Sequence, residues 1–250
     1  MPQRHTLHFI VPCYNPDEGW EKILADKFHE LETAMPDVNA RITLVNDGSV
    51  SGTTDESIHC LKNSVPSLRI LGYPENKGKG FALRYGLNDA EGDYFIYTDI
   101  DFPYTIPIMV EIYNGLLNGA DVVVGIRESE YYDKLPKKRV VITKIVKQLI
   151  KYFLKTTITD TQCGLKGFNR KGKDLFLKTS INRFLFDMQF VKMASADKSL
   201  IVKPQFVYSR RGIRFSHMTI RVLVGESFDF IWMILKRGNR AGVKEPIAGD

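Results

Sequence analysis

The chain of 250 residues is 44% hydrophobic and 26% charged. That is enough to bury a full core without disulfides or a structural metal, and it excludes collagen-like, disordered and small disulfide-stapled classes. A net charge of +6 leaves nucleic acid, an anionic membrane and an anionic substrate all open as partners.

In the N-terminal half, short apolar runs alternate with helical periodicities, as a parallel sheet with crossover helices requires. The pattern predicts strands at 7–12, 40–46, 68–73, 93–99 and 120–126, with helices between them at 19–34, 51–63, 79–90 and 106–118. After Arg127 a charged loop leads into a basic amphipathic helix over 139–154, where Lys144, Lys147 and Lys151 recur on one face. There follow a short strand at 164–169, helices near 170–178 and 185–195, a strand at 199–208 and a final helix at 216–236. With no repeat and no Gly/Ser linker, residues 1–250 read as a single domain whose halves, 1–133 and 134–250, differ in character.

Cys13, Cys60 and Cys163 form no C-x-x-C pair, which argues against a disulfide framework or zinc site and for a reducing compartment. The opening MPQRHTLHFIVPCY has too short an apolar run for a secretory signal. Val222–Leu235 is interrupted by Glu226 and Asp229, short of the ~20 apolar residues a membrane span needs.

Net charge hides a division. Through Asp133 the chain carries 10 Lys/Arg against 21 Asp/Glu, and beyond it 25 against 8. Residues 134–159 hold eight Lys/Arg and no acid. An acidic half suits a metal and a basic half something anionic.

Asp99 and Asp101 of YTDIDFPY lie at a strand's carboxyl end, where parallel sheets bind ligands. Two carboxylates there either hold a hard divalent cation against a diphosphate or cap a loop. Asp47 of LVNDGS either accepts hydrogen bonds from a nucleotide or caps the next helix. ENKGKGFALRYG, at 75–86, is an anion site at a helix start or a solvated turn. The helix over 139–154 is either a domain helix with a solvated lysine face or one lying in a membrane plane.

Taken in order, VPCYNP, VNDGS, NKGKGFALRYG, TDID and VVVGIR, one β-α unit apart, resemble the nucleotide-sugar domain of inverting glycosyltransferases of family 2. DTQCGLKGFNR at 160–170 and FLFDMQFV at 184–191 are similar to the dolichyl-phosphate glucose and mannose synthase branch, which includes polyprenyl-phosphate glycosyltransferases. The resemblance covers roughly residues 7–235. It implies an α/β fold of GT-A type, Rossmann-like, with a mostly parallel sheet flanked by helices and C-terminal amphipathic helices.

For the donor, a UDP- or GDP-hexose with UDP-glucose favoured, the resemblance implies contacts from Pro12, Tyr14, Val45, Asp47, Lys79, Thr98, Asp99, Arg127, Arg211, Arg214 and His217. For the acceptor phosphate it implies Arg139, Thr143, Asp160 and Gln162. Mg2+ or Mn2+ would be held by Asp99 and Asp101, and the catalytic set is Asp99, Asp101, Arg127 and Asp187. Four positions depart from the family pattern: Pro16 and Gln189 stand where glutamates are usual, Pro103 where a third metal ligand often follows, and His217 where a lysine is found.

Loss of a carboxylate base at position 189 matters less for a phosphate nucleophile than for a sugar hydroxyl, because a phosphate monoester with a second pKa of about 6 is already largely dianionic. The expectation is therefore in-line transfer to a polyprenyl phosphate by an enzyme peripheral to the inner face of the cell membrane, or to the cytosolic ER face in a eukaryote. A membrane-anchoring partner protein or a homo-oligomer is compatible with it. Nucleic acid is not expected, since aromatics are not interleaved with the basic residues. Two alternatives stand beside this reading: a soluble family 2 enzyme acting on a polysaccharide, glycolipid or protein hydroxyl, and an inactive nucleotide-sugar-binding regulator.

Overall fold

The computed structural model describes residues 4–127, 158, 160–183, 185–208 and 210. The expected helices at 139–154 and 216–236 lie outside these residues, as do Arg139, Thr143, Arg211, Arg214 and His217. The chain divides into one unit through Ser216 and another from His217, and every described residue belongs to the first.

In chain order the elements are β1 (Thr6–Cys13), α1 (Trp20–Ala34), β2 (Asn39–Asp47), α2 (Asp55–Ser64), β3 (Leu68–Tyr73), α3 (Lys79–Asp89), β4 (Tyr94–Tyr97), α4 (Ile106–Leu117), β5 (Val122–Arg127), β6 (Lys166–Asn169), α5 (Arg170–Leu177), α6 (Phe186–Ala196) and β7 (Val202–Val207). They form a seven-stranded sheet of order β3-β2-β1-β4-β6-β5-β7. Only β6 runs antiparallel, against both β4 and β5. The strand order reverses beside β1, whose neighbours β2 and β4 are both parallel to it, so a crevice opens at the carboxyl ends of β1 and β4.

Alternation along β1 decides what each face covers. Leu7, Phe9 and Val11 join Leu24, Phe28 and Leu31 of α1 and Met109 and Ile112 of α4 in one core cluster, with Phe9 and Phe28 edge to face. Burial of each such large side chain contributes about 1.5–3 kcal/mol. On the opposite face Phe95 and Tyr97 of β4 meet Phe168, Phe176, Phe186 and Phe190 in an aromatic layer. His8 lies buried on that side of β1. Its Nδ1 donates to the Glu91 carbonyl at 3.0 Å, and its Nε2 accepts from Thr43 Oγ1 at 2.8 Å, as a neutral ring requires.

Several boundaries differ from expectation by one to four residues, two of them in ways that bear on the site. α2 starts at Asp55 because Thr54 and Ser57 form a reciprocal capping box, leaving 51–54 as loop. β4 stops at Tyr97, two residues early, which releases Thr98–Asp101 into the crevice.

Candidate active site

The loops leaving β1, β2 and β3 are tied together before any ligand arrives. Asn15, in a left-handed conformation with φ 44°, accepts from the backbone of Val50 at 2.8 Å and Ser51 at 3.2 Å. Gly48 has φ 65°, and a Cβ there would sit 2.4 Å from the Glu75 backbone, so the β2 and β3 loops touch main chain to main chain.

Asp47 organises the same region from inside. It is buried, and its carboxylate accepts from Tyr73 Oη at 2.8 Å, Asn76 Nδ2 at 2.9 Å and the amides of Lys77 at 2.8 Å and Gly78 at 3.0 Å. Both oxygens accept from the loop, so Asp47 anchors residues 76–78. Burial, followed by the bond to Asp47, pushes the Tyr73 phenol up. The start of α3 is likewise filled: the Asn182 carbonyl accepts from Gly80 N at 2.7 Å and Phe81 N at 3.3 Å. The helix N-terminus is thus not an open anion site.

Asp99 and Asp101 stand at the end of β4, both partly exposed. Lys79 Nζ donates to Asp99 Oδ1. Although burial pulls the Lys79 pKa down, Asp99 and then Asp187 outweigh it and hold the ammonium charged. On its other side Asp99 Oδ2 lies against Gly164, where a Cβ would come within 2.4 Å of it. Burial, then the charge of Asp99, pushes the Asp101 carboxyl up. Two neighbouring carboxylates at a strand's end fit a divalent cation, with Asp101 the more accessible ligand because Lys79 already engages Asp99. The neighbouring Thr98 is buried, with its hydroxyl lacking a hydrogen-bond partner among the described residues.

Sequence reasoning missed Arg210. Its Nε donates to the Phe102 carbonyl at 2.7 Å, its Nη2 to the Asp101 carbonyl at 2.5 Å and its amide to the Pro103 carbonyl at 2.9 Å. No motif distinguishes it from Arg211 beside it, and the 109 positions separating it from Asp101 hide the contact. Pro103, where a third metal ligand was looked for, instead supplies a carbonyl to this clasp.

Asp187, expected to be catalytic, is only 4% exposed. Its Oδ1 accepts from Lys166 Nζ at 2.6 Å and from the Tyr97 hydroxyl, and Lys166 also donates to the Cys163 carbonyl at 2.7 Å. Held by a fully buried ammonium and a phenol, Asp187 Oδ1 ties α6 to β4 and β6 inside the core. Gln189 clamps the 180–181 backbone, accepting from Ser180 N and Ile181 N, each at 2.9 Å.

Arg127 and Asp160 were assigned to different substrates, yet they pair with each other. Arg127 donates from Nε to Asp160 Oδ2 at 2.8 Å and from Nη2 to Oδ1 at 2.7 Å, with its own amide 2.9 Å from Oδ2. This bidentate pair makes Asp160 the holder of Arg127. Val45 is fully buried, with its Cγ2 lying 2.7 Å from where a Cβ on Gly86 would be, so its side chain packs under α3 and faces no ligand. Pro12 is half-buried and opposite Val45 in register. Tyr14 is 50% exposed at the crevice rim, and Gln162 is partly exposed beside the buried Thr161.

Among known proteins, residues 8–176 match glycosyl transferase family 2. A dolichyl-phosphate beta-glucosyltransferase of Drosophila melanogaster is 27% identical over 202 residues, which is 75% of this chain and 62% of that protein. A second, from Trichomonas vaginalis, is 27% identical over 237 residues, covering 90% and 72%. A dolichol-phosphate mannosyltransferase of Pyrococcus furiosus is 23% identical over 204 residues, covering 81% and 56%. The chain thus spans less than two thirds of the length of the Drosophila and Pyrococcus proteins.

Among solved structures, glucosyl-3-phosphoglycerate synthase from Mycobacterium tuberculosis, in complex with Mn2+, UDP-glucose and phosphoglyceric acid, superposes with a TM-score of 0.62 at 15% identity, over 93% of this chain and 79% of that one. At that identity the likeness concerns the fold, GT-A. Since the sequence match runs from within β1 into α5 and so takes in the crevice loops from Asn15 to Asp160, the chain belongs to glycosyl transferase family 2.

Proposed function

We propose that the chain transfers a hexose, glucose from UDP-glucose in the favoured case, to a polyprenyl-phosphate lipid with inversion at the anomeric carbon. The observation that carries this reading is the similarity to dolichyl-phosphate beta-glucosyltransferases along up to 92% of the chain. Two further features agree with it: a carboxylate pair at the switch point of the sheet, and in the sequence a basic stretch, residues 134–159, suited to an anionic acceptor.

In the reaction an oxygen of the acceptor phosphate attacks the anomeric carbon while the bond from that carbon to the nucleotide's diphosphate breaks, its electron pair leaving with UDP. No proton need move, because the acceptor arrives as an anion. Asp101, with Asp99 beside it, would hold Mg2+ or Mn2+. Bound there, such an ion supplies positive charge against the charge developing on the leaving diphosphate. Lys79, donating to Asp99, holds that carboxylate in place. Asp47, through the 76–78 loop, and Asn15, through the 50–51 backbone, hold the crevice in shape so that little rearrangement is needed on binding. Arg127, oriented by Asp160, is held at the end of β5 as a cation on the far side of the crevice.

No helix among the described residues is long and apolar enough to cross a membrane. The basic residues of 134–159 would attract an anionic lipid surface, each worth about 1 kcal/mol near it. Incubation with a panel of UDP- and GDP-sugars, Mg2+ or Mn2+, and a polyprenyl phosphate, with mass spectrometry of the lipid, tests the proposal. A hexosyl-phosphate lipid formed from UDP-glucose is expected. Absence of any glycosylated lipid across the panel would sink it.

A further inference from the structure

We propose that Arg210 is a positioning residue for the cation site, fixing the direction of the Asp101 carboxylate by gripping the carbonyls of Asp101, Phe102 and Pro103. The role rests on the metal-assisted transfer proposed above.

Three observations carry it. First, the contact is with successive carbonyls of one loop, at 2.5, 2.7 and 2.9 Å. A planar guanidinium bridges two such acceptors in fixed geometry, as an ammonium cannot. Second, the loop so held is one that would not stay put unaided. Phe102 has φ 44°, a conformation that bulky side chains avoid. It is kept there by full burial of its ring, by its amide bonding to the Asp99 carbonyl at 3.0 Å, and by Arg210. Third, Arg210 does not pair with the carboxylate of Asp101, although its charge is felt there. Among the described residues no ion pair closes on Asp101, in contrast to Asp160, whose oxygens are taken by Arg127. Arg210 therefore orders the backbone on either side of the Asp101–Phe102 peptide while leaving the side chain free to bind a cation. If that peptide rotates, the carboxylate swings away from Asp99.

The test uses the full chain with Mn2+ and UDP as probes, comparing wild type, Arg210→Lys and Arg210→Ala. Free Mn2+ is followed by electron paramagnetic resonance, and amide exchange at Phe102 is measured without metal. Both variants should bind Mn2+ in the presence of UDP about tenfold more weakly, as for other residues that orient a metal ligand. Both should also exchange the Phe102 amide faster, while the amides of β1 and β4 stay protected. Wild-type Mn2+ affinity in Arg210→Lys would overturn the proposal, because charge alone would then suffice. If Arg210→Ala does not fold, Arg210→Lys decides alone. Failure of the wild-type chain to bind Mn2+ with UDP would overturn the functional reading and this role together, whereas equal binding by all three proteins would overturn only this role.

Discussion

Gly164 and Asp99 are in such close contact that a single methyl group on the glycine would lie 2.4 Å from the Asp99 Oδ2 atom. Because the obstructed atom is the end of a side chain, the fold can yield by turning the carboxylate. Gly164→Ala is accordingly expected to keep its thermal midpoint within a few degrees while displacing Asp99 and its partner Lys79. A misplacement of about 1 Å at a reacting site costs up to about 10²-fold, so kcat should fall by about 10- to 100-fold. Unchanged turnover in a glucosyl-transfer assay would show that the position of Asp99 is not critical.

Asp101→Asn should separate activity from stability. Burial and the charge of Asp99 disfavour the ionised Asp101 carboxyl in the folded protein, so a neutral amide removes a repulsion that folding otherwise has to bear. Thermal stability at pH 7.5 should hold or rise. Transfer should drop by about 10²–10³-fold, the scale of losing one group that stabilises developing charge. Calorimetry and transfer assays on the same preparation check both, and full activity in the variant would contradict the assignment.

Lys166 and Asp187 form an ion pair inside the core, with both side chains almost wholly excluded from solvent. Removing one member leaves the other charge buried alone, at a cost of about 3–5 kcal/mol. Lys166→Met should destabilise by about that amount in urea unfolding. The triple change Lys166→Met, Asp187→Leu, Tyr97→Phe removes all three polar side chains, leaving only the Cys163 carbonyl without its donor, and should recover most of the loss. A single variant as stable as wild type would mean the pair contributes nothing.

His8 predicts an acid-side loss of stability. Burial chiefly, and then the charges of Arg41 and Lys173, hold its pKa below 6.5, against a raising effect from the Glu91 carbonyl and Asp89. Below about 6.5 the unfolded chain takes up a proton that the folded chain resists. The contribution is therefore complete above that pH and is lost as pH falls towards the lowered folded value. His8→Gln should flatten the stability curve on the acid side of about pH 6.5 in denaturant titrations. An equally steep curve in the variant would assign the slope to other groups.

Most of the scaffold was readable from short apolar runs separated by helical periodicities. The runs at 7–12 and 40–46 announce β1 and β2, because central strands of a parallel sheet are covered on both faces. The antiparallel course of β6 was not legible, since period-two patterning carries no direction. The carboxylates at Asp99 and Asp101 were legible because they interrupt an apolar strand at its end. What was not legible is that several polar residues near the crevice already have partners within the fold. Asp47 is filled by the loop at 76–78, Asp187 by Lys166 and Tyr97, and Asp160 by Arg127. Each partner lies tens of residues away, and a local motif does not reveal that a lone pair is already taken. Gly164 and Arg210 escaped notice for the complementary reason, that their work is done through space on the backbone or carboxylate of another segment.

The closing of the α3 N-terminus by the Asn182 carbonyl bears on how tightly a diphosphate is gripped. Helix amides are fixed dipoles set within the protein, little affected by the composition of the medium. With those at Gly80 and Phe81 already bonded, attraction for the donor falls to ionic groups at a partly open crevice, whose fields salt screens over about 8 Å at physiological strength. Donor affinity in this protein should therefore weaken steeply as ionic strength rises, leaving release of the spent nucleotide governed by its surroundings more than by the rigid frame.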